Sequence, residues 1–215
     1  MEWRTRWGSL AILVVLGLGG SVHAAEEVVE RVQNCSHVLR EIQAIPEKAI
    51  PPRLLGEAQG IAIIPSVIKI GFVLGGRFGK GVVLVRQDDG VWSPPVLVQL
   101  AGGSVGWQIG AQSTDVVAIF KTRRGVESLL SGKLTLGADA AVAAGPVGRD
   151  VSAATDAKLQ AEVLSYSRSR GLFAGVSLDG SVLTVDSDAN EVYYRKDGVT
   201  PADISKGRVA VPPSA

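Results

Sequence analysis

Cys35 and His37 are the two side chains that first suggest catalysis, being the single cysteine and the single histidine beyond residue 24. Both fall in a segment of helical periodicity, where residues two apart point in different directions. They cannot form a nucleophile–base pair there, and no G-x-S-x-G elbow offers His37 a serine. The pattern predicts a protein that is not an enzyme and carries no cofactor.

Two further constellations imitate ligand sites. Gly71, Gly75, Gly76, Gly79 and Gly81 surround Lys80. A phosphate-binding P-loop fails because Leu74 stands where the first glycine belongs and Gly81 replaces the hydroxyl residue. The dinucleotide fingerprint fails because Val82 to Val85 reads as a strand, not a helix. Glycines that let strands bend and pack are the simpler reading. Asp186, Asp188 and Asn190 have the first ligand spacings of a calcium loop, but Glu191 occupies the position that demands glycine. Short acidic residues before a helix are better read as caps, so no metal site is expected.

The remaining constellation is basic and aromatic. Lys69, Arg77 and Lys80 lie in the glycine-rich segment, with Arg86 just beyond it, and Arg149, Arg168 and Arg170 lie further along the chain, with Phe78 and Phe173 interleaved. Guanidinium and ammonium groups suit lipid phosphates, and a phenylalanine can enter the acyl boundary, so this set fits a peripheral membrane site. Scattered, solvated charge is the competing reading.

The elements that must position these residues can be read from periodicity. From Glu26 to Ile45, Val28, Val32, Cys35, Leu39 and Ile42 form one helical stripe, ended by Pro46, and Arg53 to Ala58 reads as a second short helix. The stripe could pack on a sheet or lie in a membrane; its mixed polar face favours packing. From Gly60 onward the period changes. Ile61–Ile64, Val67–Val73, Gly81–Arg86, Val96–Ala101, Ser104–Ala111 and Asp115–Lys121 read as strands, with Asp88-Asp89-Gly90 as a turn. A short helix is expected over Arg123–Ser131, and strands over Lys133–Leu136, Ala138–Ala144, Ala161–Tyr166, Leu172–Leu178 and Ser181–Asp186. The expected class is α+β: a glycine-rich, curled antiparallel sheet or partial barrel, covered by an N-terminal helix pair.

Residues 1–24 have the form of a cleavable secretory signal, with Arg4 and Arg6, an apolar run from Leu10 to Leu18, and Val22 and Ala24 at the cleavage site. The apolar run, at about 10 residues, is half of the roughly 20 a membrane span needs. Cys35 follows Val32, Gln33 and Asn34, which is not a lipoprotein signal, and one cysteine allows no internal disulfide. Export to a bacterial periplasm or membrane periphery is expected. Two helical and β-rich segments, 25–58 and 59–215, should then pack as one unit. Without residues 1–24 the chain carries 20 basic and 20 acidic residues. Such neutrality argues against a nucleic-acid partner.

The stretches GIAIIP, KIGFVLGGRFGKGVVLVR, GVWSPP, GADAAVAAGPVGRD and YSRSRGLFAGVSLDG resemble, in family order, those of the SYLF family. That resemblance implies a lipid-binding module, with phosphoinositides for the eukaryotic branch and actin for the yeast branch. Its candidate lipid-binding residues are Lys69, Arg77, Lys80, Arg149, Arg168 and Arg170; Phe173 joins them from the pattern above. SH3 and FYVE partner domains are absent from this sequence, and an exported chain would meet neither actin nor, ordinarily, phosphoinositides. The implied partner is therefore an anionic phospholipid membrane. A protein-interaction or scaffold role with incidental lipid affinity is the alternative.

Overall fold

A computed structural model describes residues 11–44, 50–146, 160–169 and 172–212. Helix α1 spans Ala11–Gln43 and α2 spans Pro52–Glu57. Two very long strands follow, β1 (Gly60–Val85) and β2 (Val96–Phe120). Then come α3 (Arg123–Leu130), β3 (Lys133–Thr135), β4 (Val142–Ala144), β5 (Val163–Ser169), β6 (Leu172–Gly175) and β7 (Ser181–Val185). Helices α4 (Ser187–Tyr194) and α5 (Pro201–Ser205) complete the α+β chain.

Six short strands were expected where β1 and β2 now stand. Pro65 does not break β1, because the strand bulges there: Ile64 faces Val116 but Val67 faces Thr114, and Ser66 takes a φ of 50°. A bulge frees the backbone N–H that proline lacks from ladder duty. A second irregularity, between Gly71 and Val73, gives β2 two residues more than β1. The ribbon is antiparallel from Gly60↔Phe120 to Val83↔Val96. Along the other edge of β2, β7 pairs with 98–102 and β5 with 115–120. The sheet curls into a half-barrel, as expected, but it is mixed rather than purely antiparallel. Its β4–β5 pair runs parallel, and the expected strand over Ala138–Ala144 contracts to β4 because a turn at Gly137 takes up its first half.

The ribbon folds across itself. Gln59 donates its N–H to the Phe120 carbonyl at 2.8 Å and accepts from the Arg86 N–H at 2.9 Å, so the two ends of β1 meet. At the crossing the Ile63–Val67 segment runs over Gly79 and Gly81. A methyl on Gly81 would lie 2.7 Å from the Ile64 Cα and closer still to the Ile63 carbonyl, and one on Gly79 would lie 2.7 Å from the Ile64 side chain. Only glycine allows that approach. Ile63, Ile64, Leu97, Leu100, Ile119 and Phe120 fill the space between the two layers so formed.

Helix α1 covers the ribbon. It buries Val28, Val32, Cys35, Val38 and Ile42, a four-and-three spacing that lays one stripe on the sheet. Leu39, expected in that stripe, is only partly buried and Val38 takes its place. The helix also extends toward the N-terminus beyond the expected start at Glu26, through the expected cleavage point, to Ala11. Among the described residues no helix is long and apolar enough to cross a membrane.

Candidate functional site

Three ion pairs tie α1 to the sheet, and they consume basic residues expected to meet lipid. Lys80 Nζ lies 3.1 Å from Glu27 Oε1. Its ammonium holds the Glu27 carboxyl below the ordinary carboxylate range. Arg168 donates to Asp115 Oδ2 from Nε at 3.1 Å and from Nη2 at 2.8 Å, and also pairs with Glu41. Asp115 in turn accepts the Ser66 N–H at 3.0 Å, so Arg168 braces the carboxylate that holds the β1 bulge. Glu27 and Glu41 stand four turns apart on α1, about 20 Å along its axis. Lys80 and Arg168 therefore belong to two separate locks and not to one cluster.

The third pair is the most buried. Arg31 Nη1 donates to Asp186 Oδ2 at 2.8 Å, with side chains 7% and 10% exposed. Burial works against ionisation of Asp186. The bonds from Arg31 and Gln99 outweigh it and leave the pKa below the ordinary value. Asp186 also accepts the Ala189 N–H at 3.3 Å as N-cap of α4. Asn190, on the same calcium-like spacing, bonds the backbone N–H and carbonyl of Leu97 at 2.9 and 3.0 Å. Asp186 and Asn190 thus join α1, β2 and α4.

The other expected residues divide. Arg77 is half-buried, donates to the Ser177 carbonyl at 3.2 Å, and has its pKa lowered by burial against the opposing charge of Asp179. Phe173 stacks on the buried Tyr166, centroids 5.3 Å apart, so its ring serves packing. Lys69, on β1 opposite Gln112, has no carboxylate partner among the described residues. Arg149 and Arg170 lie outside the described residues.

A different surface stands out. At the bend of the ribbon Ile68 is 46% exposed and Ile70 61% on one face of β1, while Phe78, 46% exposed, neighbours the Gly79 that faces Val67 and so points out of the other layer. These are three of the five large apolar side chains exposed among the described residues, and Lys69, between two of them in sequence, points to the other face of the strand. Sequence reasoning placed Phe78 among the interleaved aromatics but passed over Ile68 and Ile70. The run from Val67 to Val73 is apolar at nearly every position and offers no alternation to say which face is outward.

The comparisons with known proteins bear on what such a surface meets. Residues 101–215 match the family model described as Ysc84, Las17-binding protein actin regulator. The chain is 43% identical over 172 residues to an SH3 domain-containing protein of Schizosaccharomyces pombe, a match covering 79% of this chain and 40% of that protein. It is 42% identical over 172 residues to Protein YSC84 of Saccharomyces cerevisiae, covering 79% and 36% respectively. An SH3 domain-containing YSC84-like protein 1 of Xenopus laevis is 38% identical over 189 residues, covering 85% of this chain and 56% of the relative. The chain thus spans between about a third and just over half of these curated relatives. With a family model that covers more than half of its length, the chain belongs to the Ysc84 family, the SYLF family of the sequence motifs.

Proposed function

We propose that this chain is a non-catalytic protein-interaction module, docking a partner of the actin-regulatory kind on the outward face of the β1 bend. The observation that carries this reading is the exposed pair Ile68 and Ile70 on one outer face of the crossed ribbon. Exposed apolar side chains grouped on one face mark interaction sites. The names of its relatives support the partner class, since the matching family is described as a Las17-binding actin regulator and one relative is LAS seventeen-binding protein 3 of Saccharomyces cerevisiae. Filamentous actin and purified Las17 are the probes. The parent should bind one of them, and Ile68→Asp with Ile70→Asp should weaken binding at least tenfold while leaving the melting temperature unchanged. Failure to bind either, or equal binding by the variant, overturns the reading.

A second reading takes the same exposed pair to an anionic phospholipid bilayer, with Ile68 and Ile70 in the acyl boundary and Lys69, on the opposite face of β1 and free of a carboxylate, reaching the phosphates round the strand edge by its flexible stem. This reading goes with export by cleavage after Ala24, which would leave in place every core residue of α1 whose burial is described. Lys69→Gln is the informative variant, because Lys80 and Arg168 are engaged with carboxylates. Loss of anionic-liposome binding in Lys69→Gln supports it, and no liposome binding by the parent removes it.

A further inference from the structure

β1 forms its ladder with β2 on one side, and no second strand lies along its other edge among the described residues. At two places the strand is engaged by something else. The residues flanking its ends, Gln59 and Arg86, bond each other at 2.9 Å, and at the crossing α1 lies against it, with the Cys35 thiol donating to the Ile63 carbonyl at 3.4 Å. Residues 67–70, just beyond the bulge, differ. Among the described residues their backbone makes no bond outside the ladder with β2, so alternate residues there turn an N–H and a C=O outward.

A row of alternating donors and acceptors matches one kind of ligand, an extended main chain, which satisfies its own N–H and C=O groups in the act of pairing. The side chains at the same place say what that strand should carry. Ile68 and Ile70 stand exposed on one face. Lys69 stands on the other and has no carboxylate partner among the described residues. Directly opposed residues of paired strands share a face, and they attract when apolar meets apolar or when opposite charges meet. The matching strand is therefore apolar opposite Ile68 and Ile70 and acidic opposite Lys69. At this level β2 carries Gln112 and Ser113, so its edge offers an added strand neither an apolar face nor a charge.

We propose that the protein partner engages the β1 bend by strand addition, laying an extended apolar–acidic–apolar segment along the outer edge of residues 67–70. This rests on the reading of Ile68 and Ile70 as the docking face and specifies how the face is used: main chain for affinity, Lys69 for the choice of sequence. A second copy of this chain pairing about Lys69 would set two lysines opposite each other, which charge disfavours.

The probe is a fluorescein-labelled, end-blocked peptide, Thr-Thr-Val-Glu-Val-Thr-Thr, titrated into the full chain without lipid and read by anisotropy. Sedimentation of the chain alone controls for self-pairing. Saturable binding to a monomeric chain is expected. Lys69→Glu should weaken it about tenfold, and should take the counterpart peptide with Lys in place of Glu about as tightly as the parent takes the Glu peptide, which also shows that the variant is folded. Backbone N-methylation of the peptide tests the main chain, because alternate N–H groups of an added strand point at β1. Methylating one set, either the Glu amide or the two Val amides, should abolish binding, and methylating the other should leave it within about threefold. Hydrogen exchange on binding should slow at alternate amides of residues 67–70, not at consecutive ones. No saturable binding, no charge-swap recovery, loss with both methylation sets, or a dimer that Ile68→Asp with Ile70→Asp dissociates overturns strand addition. If that double variant still loses actin or Las17 binding while the peptide tests fail, the docking face stands and only this mode of recognition falls.

Discussion

The turn end and the middle bend of the β1–β2 ribbon are built from the same kinds of residue and behave as different materials. At the turn end the chain is tied repeatedly: Arg86 reaches the Gly56 carbonyl and lies over the Trp92 ring at 5.3 Å, while Arg123 pairs with Asp88 and donates to the Arg86 carbonyl at 3.2 Å. At the middle bend, among the described residues, β2 pairs only with β1 between its β7 and β5 segments, and apolar side chains face solvent. The glycines make the contrast measurable. Gly81 sits under a crossing backbone, whereas Gly76 has nothing within 4 Å of where a Cβ would stand. Glycine content alone therefore says nothing about rigidity; what passes over each glycine decides it.

The strongest test of that contrast is Gly81→Val beside Gly76→Ala. The first should cost more than about 4 kcal/mol or prevent folding, and the second should stay within about 0.5 kcal/mol, both read by urea unfolding. Similar costs at the two positions would dissolve the distinction. Next in size is the buried pair under α1. Arg31→Met strands the Asp186 carboxylate and should cost about 3–5 kcal/mol, and adding Asp186→Leu should restore much of it, short of the lost α4 cap.

The same pair sets a pH dependence. Because the Asp186 pKa is lowered on folding, its contribution is present above the unfolded value of about 3.9 and is lost as pH falls through the folded value. Acid unfolding below about pH 4 should be shallower in Asp186→Asn than in the parent. A smaller effect, about 1.5–3 kcal/mol, is expected for Arg168→Gln, which removes the charged bonds to Asp115. Amide exchange should then quicken at Ser66, whose N–H the Asp115 carboxylate holds. Smallest of all, Ile70→Asp should leave unfolding within about 0.5 kcal/mol of the parent, since its side chain already faces solvent.

How far these features were legible in the sequence depends on range. Local signals read well: the helix expected over Arg123–Ser131 forms as α3 and stops before Gly132, and Asp186 caps α4, each within a turn of the residue that signalled it. Gly79 and Gly81 do let strands pack closely, as the glycine cluster was read to do, whereas Gly76 faces open space. What could not be read was pairing at a distance. Periodicity puts Lys80 and Arg168 on faces of strands, but their partners Glu27 and Glu41 come from a helix more than fifty residues upstream, and no local pattern shows that they meet. Pro65 misled for a related reason, since a bulge absorbs it only because Asp115 on the partner strand holds the displaced backbone. Leu39 was placed in the stripe and Val38 left out because both fit a helical face.

Gly79 and Gly81 also act as a key for alignment. If the ribbon slid along itself by one residue at the crossing, Lys80 or Val82 would come beneath Ile63 and Ile64, and a Cβ would meet main chain where none fits. Strand pairing by itself is weakly fixed in glycine-rich segments, where few side chains distinguish one register from the next. Here the two gaps left by the missing side chains accept one alignment and reject its neighbours, so the hairpin proofreads its own register as the two layers close.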